Sequence, residues 1–249
     1  MINQKEITNE WLSKVSKENK NADKILIEKV VRALLLLEGL VKQKIPFLFK
    51  GGTALMLHFN STRRLSIDID IILPQEIENL ENNLDLLAFE QGFLRKELQH
   101  RDTKSKIRKV HYKFFYTPLH KTNKEEEYVL LDILYEKANY SKIILLPIQS
   151  TFVPIIDEPL TVNVPILEDI LGDKLTAFAP NTTGIPYFKK EDSMSMEIIK
   201  QLYDIGNLFD VVTEFSVIRT TFYSFAKTEL AYRNFDGINE ADVLVLCKL

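Results

Sequence analysis

The chain has 249 residues and a mass of 28.9 kDa. That is enough for one large domain or two small ones, burying about 70–75% of the unfolded surface without a disulfide or a structural metal. Its 45% hydrophobic and 27% charged residues exclude a disordered or collagen-like chain. One cysteine, Cys247, excludes a disulfide framework and fits a reducing compartment, and 32 basic against 35 acidic residues (net −3) argue against a protein that coats nucleic acid with its whole surface.

Residues 1–45 read as helical. Trp11, Leu12 and Val15 fall at helical spacing, and Ile25, Leu26, Val30, Ala33, Leu34, Leu37 and Leu40 form a wide stripe that stops before Pro46. The most apolar early stretch, residues 30–40, is interrupted by Arg32 and Glu38 and is far short of a membrane span. The first residues show neither an apolar core nor a cleavage site, so the expected address is cytoplasmic, with no membrane.

The apolar run 47–49 predicts a buried strand, entering Lys50-Gly51-Gly52-Thr53 and a short helix over 54–59. Residues 65–73 alternate on two faces, with Asp68 and Asp70 on one, and predict a strand. A polar-faced helix is expected over 75–91 and strands over 107–116 and 128–135, followed by short strands over 143–148, 151–156 and 161–164. Beyond Pro165 the pattern turns helical, over 167–178, 193–209, 211–230 and near the C-terminus, with 180–192 expected to be a mobile loop. The expected class is α/β (α+β). A mixed sheet flanked by helices occupies 1–164, and a helical C-terminal portion over 165–249 packs on the active-site cleft.

Two residue groups point to chemistry. Gly51 and Gly52, the only Gly-Gly pair, lie between a strand and a helix, where the backbone can approach a ligand and the first N–H groups of the helix favour a phosphate. Thr53 can add a hydroxyl donor there. Asp68 and Asp70, two apart on a strand, repel each other by roughly 3 kcal/mol at an effective dielectric near 20. A divalent metal relieves that, and hard oxygen ligands suit Mg²⁺. A metal-bound triphosphate beside a glycine turn is the apparatus of nucleotidyl transfer.

Lys50-Gly-Gly-Thr-Ala-Leu followed by Arg64-x-Ser66-x-Asp68-Ile-Asp70 resembles the AbiEii/AbiGii nucleotidyltransferase toxins, of the DNA polymerase beta-like nucleotidyltransferase superfamily. The resemblance covers about residues 50–210. It implies a polymerase beta-like fold, an NTP substrate bound with Gly51, Gly52, Thr53, Arg64 and Ser66, and two Mg²⁺ ions held by Asp68, Asp70 and a third carboxylate. Asp132, in the apolar stretch Tyr128-Val-Leu-Leu-Asp-Ile-Leu-Tyr, is the candidate third metal ligand and base; the alternative is a strand-end acid paired to a lysine. Leu167-Glu-Asp-Ile-Leu-Gly-Asp-Lys174-Leu-Thr-Ala-Phe resembles the motif whose lysine contacts nucleotide phosphates. A solvated helix lysine is the other possibility, although no acid stands at i±3 or i±4. Lys200-Gln-Leu-Tyr203-Asp204-Ile resembles the last motif and makes Asp204 an active-site candidate, against an i, i+4 pair with Lys200. Gln201 stands where many relatives carry Asp, and Gly172 where Ala is usual; neither position is expected to touch a proposed ligand.

The resemblance further implies a type IV toxin–antitoxin or abortive-infection toxin that acts on RNA, in some members on tRNA, beside a separately encoded antitoxin. Lys104, Lys106, Arg108 and Lys109 could track such an RNA backbone or form a plain solvated strand face. Two rivals remain: a transferase that modifies an aminoglycoside or a protein hydroxyl, and a nucleotide-binding regulator without turnover. The four histidines show no metal-ligand spacing.

Overall fold

In a computed structural model describing residues 1–60, 64–99, 108–120, 123–233, 235 and 237–245, the N-terminal stripes fold as α1 (Asn9–Glu18) and α2 (Lys24–Lys42). Thr8 and Asp23 cap them, accepting from Trp11 N–H at 3.2 Å and Ile25 N–H at 2.7 Å. The expected stripe of α2 is displaced at its start: Leu26 is exposed and Ile27 takes the core position. Further on, the helix is buried nearly all round because it packs on α1, on the sheet and on α4 (Leu80–Glu90).

The sheet holds β1 (Leu48–Lys50), β2 (Ile69–Leu73), β3 (Arg95–Gln99), β4 (Lys109–Tyr116) and β5 (Glu127–Tyr135), in the order β1-β2-β5-β4-β3. Only β2 and β5 run parallel; the other pairs are antiparallel. One face carries Phe49, Ile71, Leu131, Ile133 and Phe114, all buried, and forms the core. β3 was not expected from the sequence, since Arg-Lys-Glu-Leu-Gln lacks an apolar alternation; it exists through its pairing with β4 as a mostly exposed edge strand. Residues 151–156 form turns rather than a strand, with Ile155 alone bridging to Ile2. β6 (Ile143–Pro147) and β7 (Thr161–Pro165) make a separate two-stranded sheet.

The described residues divide into two units. One lies within Met1–Thr103, Arg108–Lys137 and Leu145–Val164, the other within Ala138–Ile144 and Pro165–Leu249. The second is built on α5 (Leu167–Phe178), α6 (Ser195–Phe209) and α7 (Phe215–Arg233), with a hairpin of β8 (Phe188–Lys189) and β9 (Asp192–Ser193) and a short α8 (Asp242–Val245). The segment expected to be a mobile loop is tied down on both sides. Gly184 N–H and Ile185 N–H donate to Ala179 O (2.6 Å) and Ala177 O (2.9 Å), Thr183 Oγ1 donates to Thr176 O (2.8 Å), and the hairpin closes the rest.

Asp169, fully buried, anchors this unit. Its Oδ2 accepts from Ser141 N–H, Ser141 Oγ and Lys142 N–H at 2.9, 2.9 and 3.0 Å, and its Oδ1 accepts from Thr221 Oγ1 at 2.5 Å. Close packing of α5 on α7 explains Gly172, since a Cβ there would stand 2.9 Å from both Ile218 O and Phe222 N. Gly172→Ala is therefore expected to destabilise the protein by about 1–3 kcal/mol, although alanine is the better helix former, and a lower urea midpoint would show it. Among the described residues no helix is long and apolar enough to cross a membrane.

Candidate active site

α3 (Gly51–Phe59) begins directly where β1 ends. Lys50 occupies its N-cap position in an extended conformation and supplies no side-chain cap. Gly51 has φ +83°, in the left-handed region that suits glycine, and a Cβ there would overlap the Asp70 carboxylate. At Gly52 a Cβ would stand 2.6 Å from both Arg64 Nη2 and Ser66 Oγ. The glycines thus let the protein's own Asp70, Arg64 and Ser66 close onto the start of α3. That proximity brings Gly51, Gly52, Arg64, Ser66 and Asp70 into one locality.

Thr53 departs from expectation. It is fully buried and its Oγ1 donates to Asp68 O at 2.6 Å, so the hydroxyl proton is used on the backbone and positions Asp68 instead of meeting a phosphate. Asp68 itself precedes the strand expected to hold it. The β2 ladder begins at Ile69↔Leu131, and the Asp68 carbonyl is taken by Thr53.

Cross-strand register aligns Lys50, Asp70, Asp132, His111 and Gln99 as one row across all five strands. Residues in such a row leave the same face of the sheet. Asp70 and Asp132 sit on strands about 4.8 Å apart, where two carboxylates repel by roughly 3 kcal/mol at an effective dielectric near 20. His111 Nδ1 lies 2.7 Å from Asp132 Oδ1, with the ring 8% exposed. Asp132 is therefore neither a strand-end acid nor paired to a lysine there; its strand neighbour is a histidine. The sequence reading passed over His111, and the signal available was its place on the polar face of residues 107–116, between Lys109 and Lys113.

Of the three candidate metal ligands, Asp70 and Asp132 face each other across β2 and β5, and Asp68 directly precedes β2. Asp132 is drawn to His111 and Asp70 lies against Gly51, and among the described residues no group of three or more His, Cys, Asp or Glu side chains is arranged to hold a metal ion. The donor chemistry still fits Mg²⁺, which is commonly held by one or two carboxylates, with water and substrate phosphates completing its shell.

In the second unit, Lys174 is 7% exposed and no solvated lysine. Its Nζ lies 2.8 Å from Asp204 Oδ2 and 3.1 Å from Gln201 Oε1. Asp204, 4% exposed, is thus partnered by Lys174 from α5. The expectation that Gln201 touches no proposed ligand fails: the amide that replaces the usual acid holds the lysine directly.

Of the basic stretch, Lys104 and Lys106 lie outside the described residues. Arg108 pairs with Glu76 and stands 5.1 Å from the centre of the Tyr135 ring, at the mouth of a cleft of about 470 Å³ that Lys109 and Tyr112 also line. Burial, and then the Glu81 carboxylate that accepts from it, push the Tyr112 hydroxyl well above the ordinary tyrosine range.

A family model described as nucleotidyl transferase AbiEii toxin, type IV toxin–antitoxin system, matches residues 35–245. Among solved structures, MenT4, a nucleotidyltransferase toxin from Mycobacterium tuberculosis, is similar over 90% of this chain and 72% of that one, with a TM-score of 0.53 and 14% identity. JHP933 from Helicobacter pylori matches over 88% of each chain, with a TM-score of 0.44 and 19% identity. No curated protein matches. The likeness to MenT4 is one of fold. The family match runs from α2 through the acid row to α8, and by it the chain belongs to the AbiEii nucleotidyltransferase toxin family and is a nucleotidyltransferase.

Proposed function

We propose that the protein transfers an NMP from an NTP to a hydroxyl of an RNA acceptor, tRNA among the candidates, and releases pyrophosphate. The observation that carries this reading is the acid row beside the start of α3: Asp70 lies against Gly51 and in register with Asp132. The first-turn N–H groups of α3 suit a triphosphate. Asp68, Asp70 and Asp132 would hold Mg²⁺, two ions as the family implies, together with phosphate oxygens. When bound, the ions would neutralise charge on the triphosphate and the departing pyrophosphate.

Arg64 and Ser66, packed over Gly52, present donors on the same side. Asp132 accepts the proton of the attacking hydroxyl through the oxygen that His111 does not take. The hydroxyl oxygen bonds to the α-phosphorus as the bond to pyrophosphate breaks. By the likeness of its motif, Lys174 would contact the nucleotide phosphates; within the second unit its Nζ is held by Asp204 and Gln201. A separately encoded antitoxin, as the family implies, would be the protein partner.

The test is transfer of α-labelled NTPs to total cellular RNA, with and without Mg²⁺. Labelled RNA, formed only with the metal and less at high salt, is the expected result. Label on a small molecule or a protein would overturn the acceptor assignment, and no transfer to any acceptor would overturn the catalytic reading.

A further inference from the structure

The His111–Asp132 contact joins β4 to β5 within the acid row, and neither the family match nor the motif reading assigns it a role. Three observations converge on it. His111 is the Cα partner of Asp132 across β4 and β5, so the two side chains leave the same face side by side. The ring is 8% exposed and its Nδ1 stands 2.7 Å from Asp132 Oδ1. Asp132 in turn is the Cα partner of Asp70, so the carboxylate that His111 holds has another carboxylate as its neighbour on the opposite strand.

A carboxylate on a pleated strand can turn about its side-chain bonds, and near a second carboxylate it turns to lower the repulsion. With Asp132 ionised, the proton on Nδ1 donates to Oδ1 and removes that freedom. One oxygen is used, and the other is left for a ligand. We propose that His111 is a positioning residue: it fixes the rotamer of Asp132, so that one carboxylate oxygen is presented to the acceptor hydroxyl. This rests on the nucleotidyl-transfer reading above.

The experiment compares wild type with His111→Leu, which removes the donor, and His111→Asn, whose side-chain amide can donate from nearly the place of Nδ1. Asp70→Asn serves as a control. Steady-state transfer, Mn²⁺ binding by titration calorimetry with a non-hydrolysable NTP present, and thermal unfolding are read for each. The expected results for His111→Leu are kcat lower by about 10–100-fold, KM for the NTP within threefold of wild type, and Mn²⁺ affinity within threefold. His111→Asn is expected to recover most of kcat. Asp70→Asn should instead weaken Mn²⁺ binding.

Full kcat in His111→Leu would overturn the proposal, as would a folded His111→Asn no better than His111→Leu. Loss of Mn²⁺ affinity in His111→Leu would mean that His111 acts on the metal and not through the rotamer of Asp132, and would overturn the proposal. If Asp70→Asn also transfers normally, the catalytic reading has failed along with it. If Asp70→Asn is inactive and His111→Leu is not, only the role of His111 falls.

Discussion

Asp70→Asn is expected to lower NMP transfer by at least about 10²–10³-fold while leaving the fold intact. The substitution keeps shape and volume in the midst of β2 but removes the negative charge that lies against Gly51. It also lifts the repulsion with Asp132 across the strand pair, and thermal unfolding checks that the variant stays folded. Rate loss without stability loss is the signature of a group selected for chemistry. A well-folded Asp70→Asn protein that transfers label within tenfold of wild type would show that the acid row is not the catalytic centre. A variant that fails to fold would show that Asp70 is needed as a partner for the glycine turn, and Asp70→Ser would then separate the two roles.

Lys174→Met should act in the opposite way, through stability. The ammonium and the Asp204 carboxylate are 9% and 5% exposed at 2.8 Å, so removing the lysine strands a buried charge. Breaking such a pair costs about 3–5 kcal/mol, on the order of 10 °C in Tm for a chain of this size. Lys174→Met combined with Asp204→Leu should recover part of that loss, because neither charge of the pair remains buried. Urea denaturation of the two single variants and the double variant measures the coupling directly. If both single substitutions cost under 1 kcal/mol, the pair is solvated in solution and the burial described above does not hold.

How far the sequence could be read follows from what each signal depends on. α5 was expected over its observed span, Leu167–Phe178, because its apolar positions repeat at the helical period and Pro165 bounds it. The glycine turn was legible because Gly51 and Gly52 are punctuation no other residue supplies, and Asp68 and Asp70 followed from their spacing. Contacts between strands were not legible. His111 and Asp132 are 21 residues apart, and only the order β2-β5-β4 makes them neighbours. Lys174 and Asp204 could be picked out separately through motif likeness, but their mutual pairing depends on how α6 packs against α5. β3 escaped for a related reason: an edge strand with polar residues on both faces has no period-two signature, and its hydrogen bonds come from its neighbour. The bond from the Thr53 hydroxyl to the Asp68 carbonyl was not legible either, because it depends on how α3 packs beside the start of β2.

Asp169 has a bearing on how the chain assembles during synthesis. Its carboxylate is completed by Ser141 and Lys142, which precede the β6–β7 sheet, and by Thr221, far down the helical part. The second unit is therefore interrupted in sequence, with residues 145–164 of the first inserted between its two pieces. A ribosome must deliver α7 before Asp169 finds its last donor, so the unit matures late and all at once. The insertion also means that a cut at the apparent sheet-to-helix boundary, near Pro165, yields no independent module. The fragment after the cut carries a buried acid bereft of three of its four donors, and a truncated gene product of that kind is destined for aggregation or proteolysis.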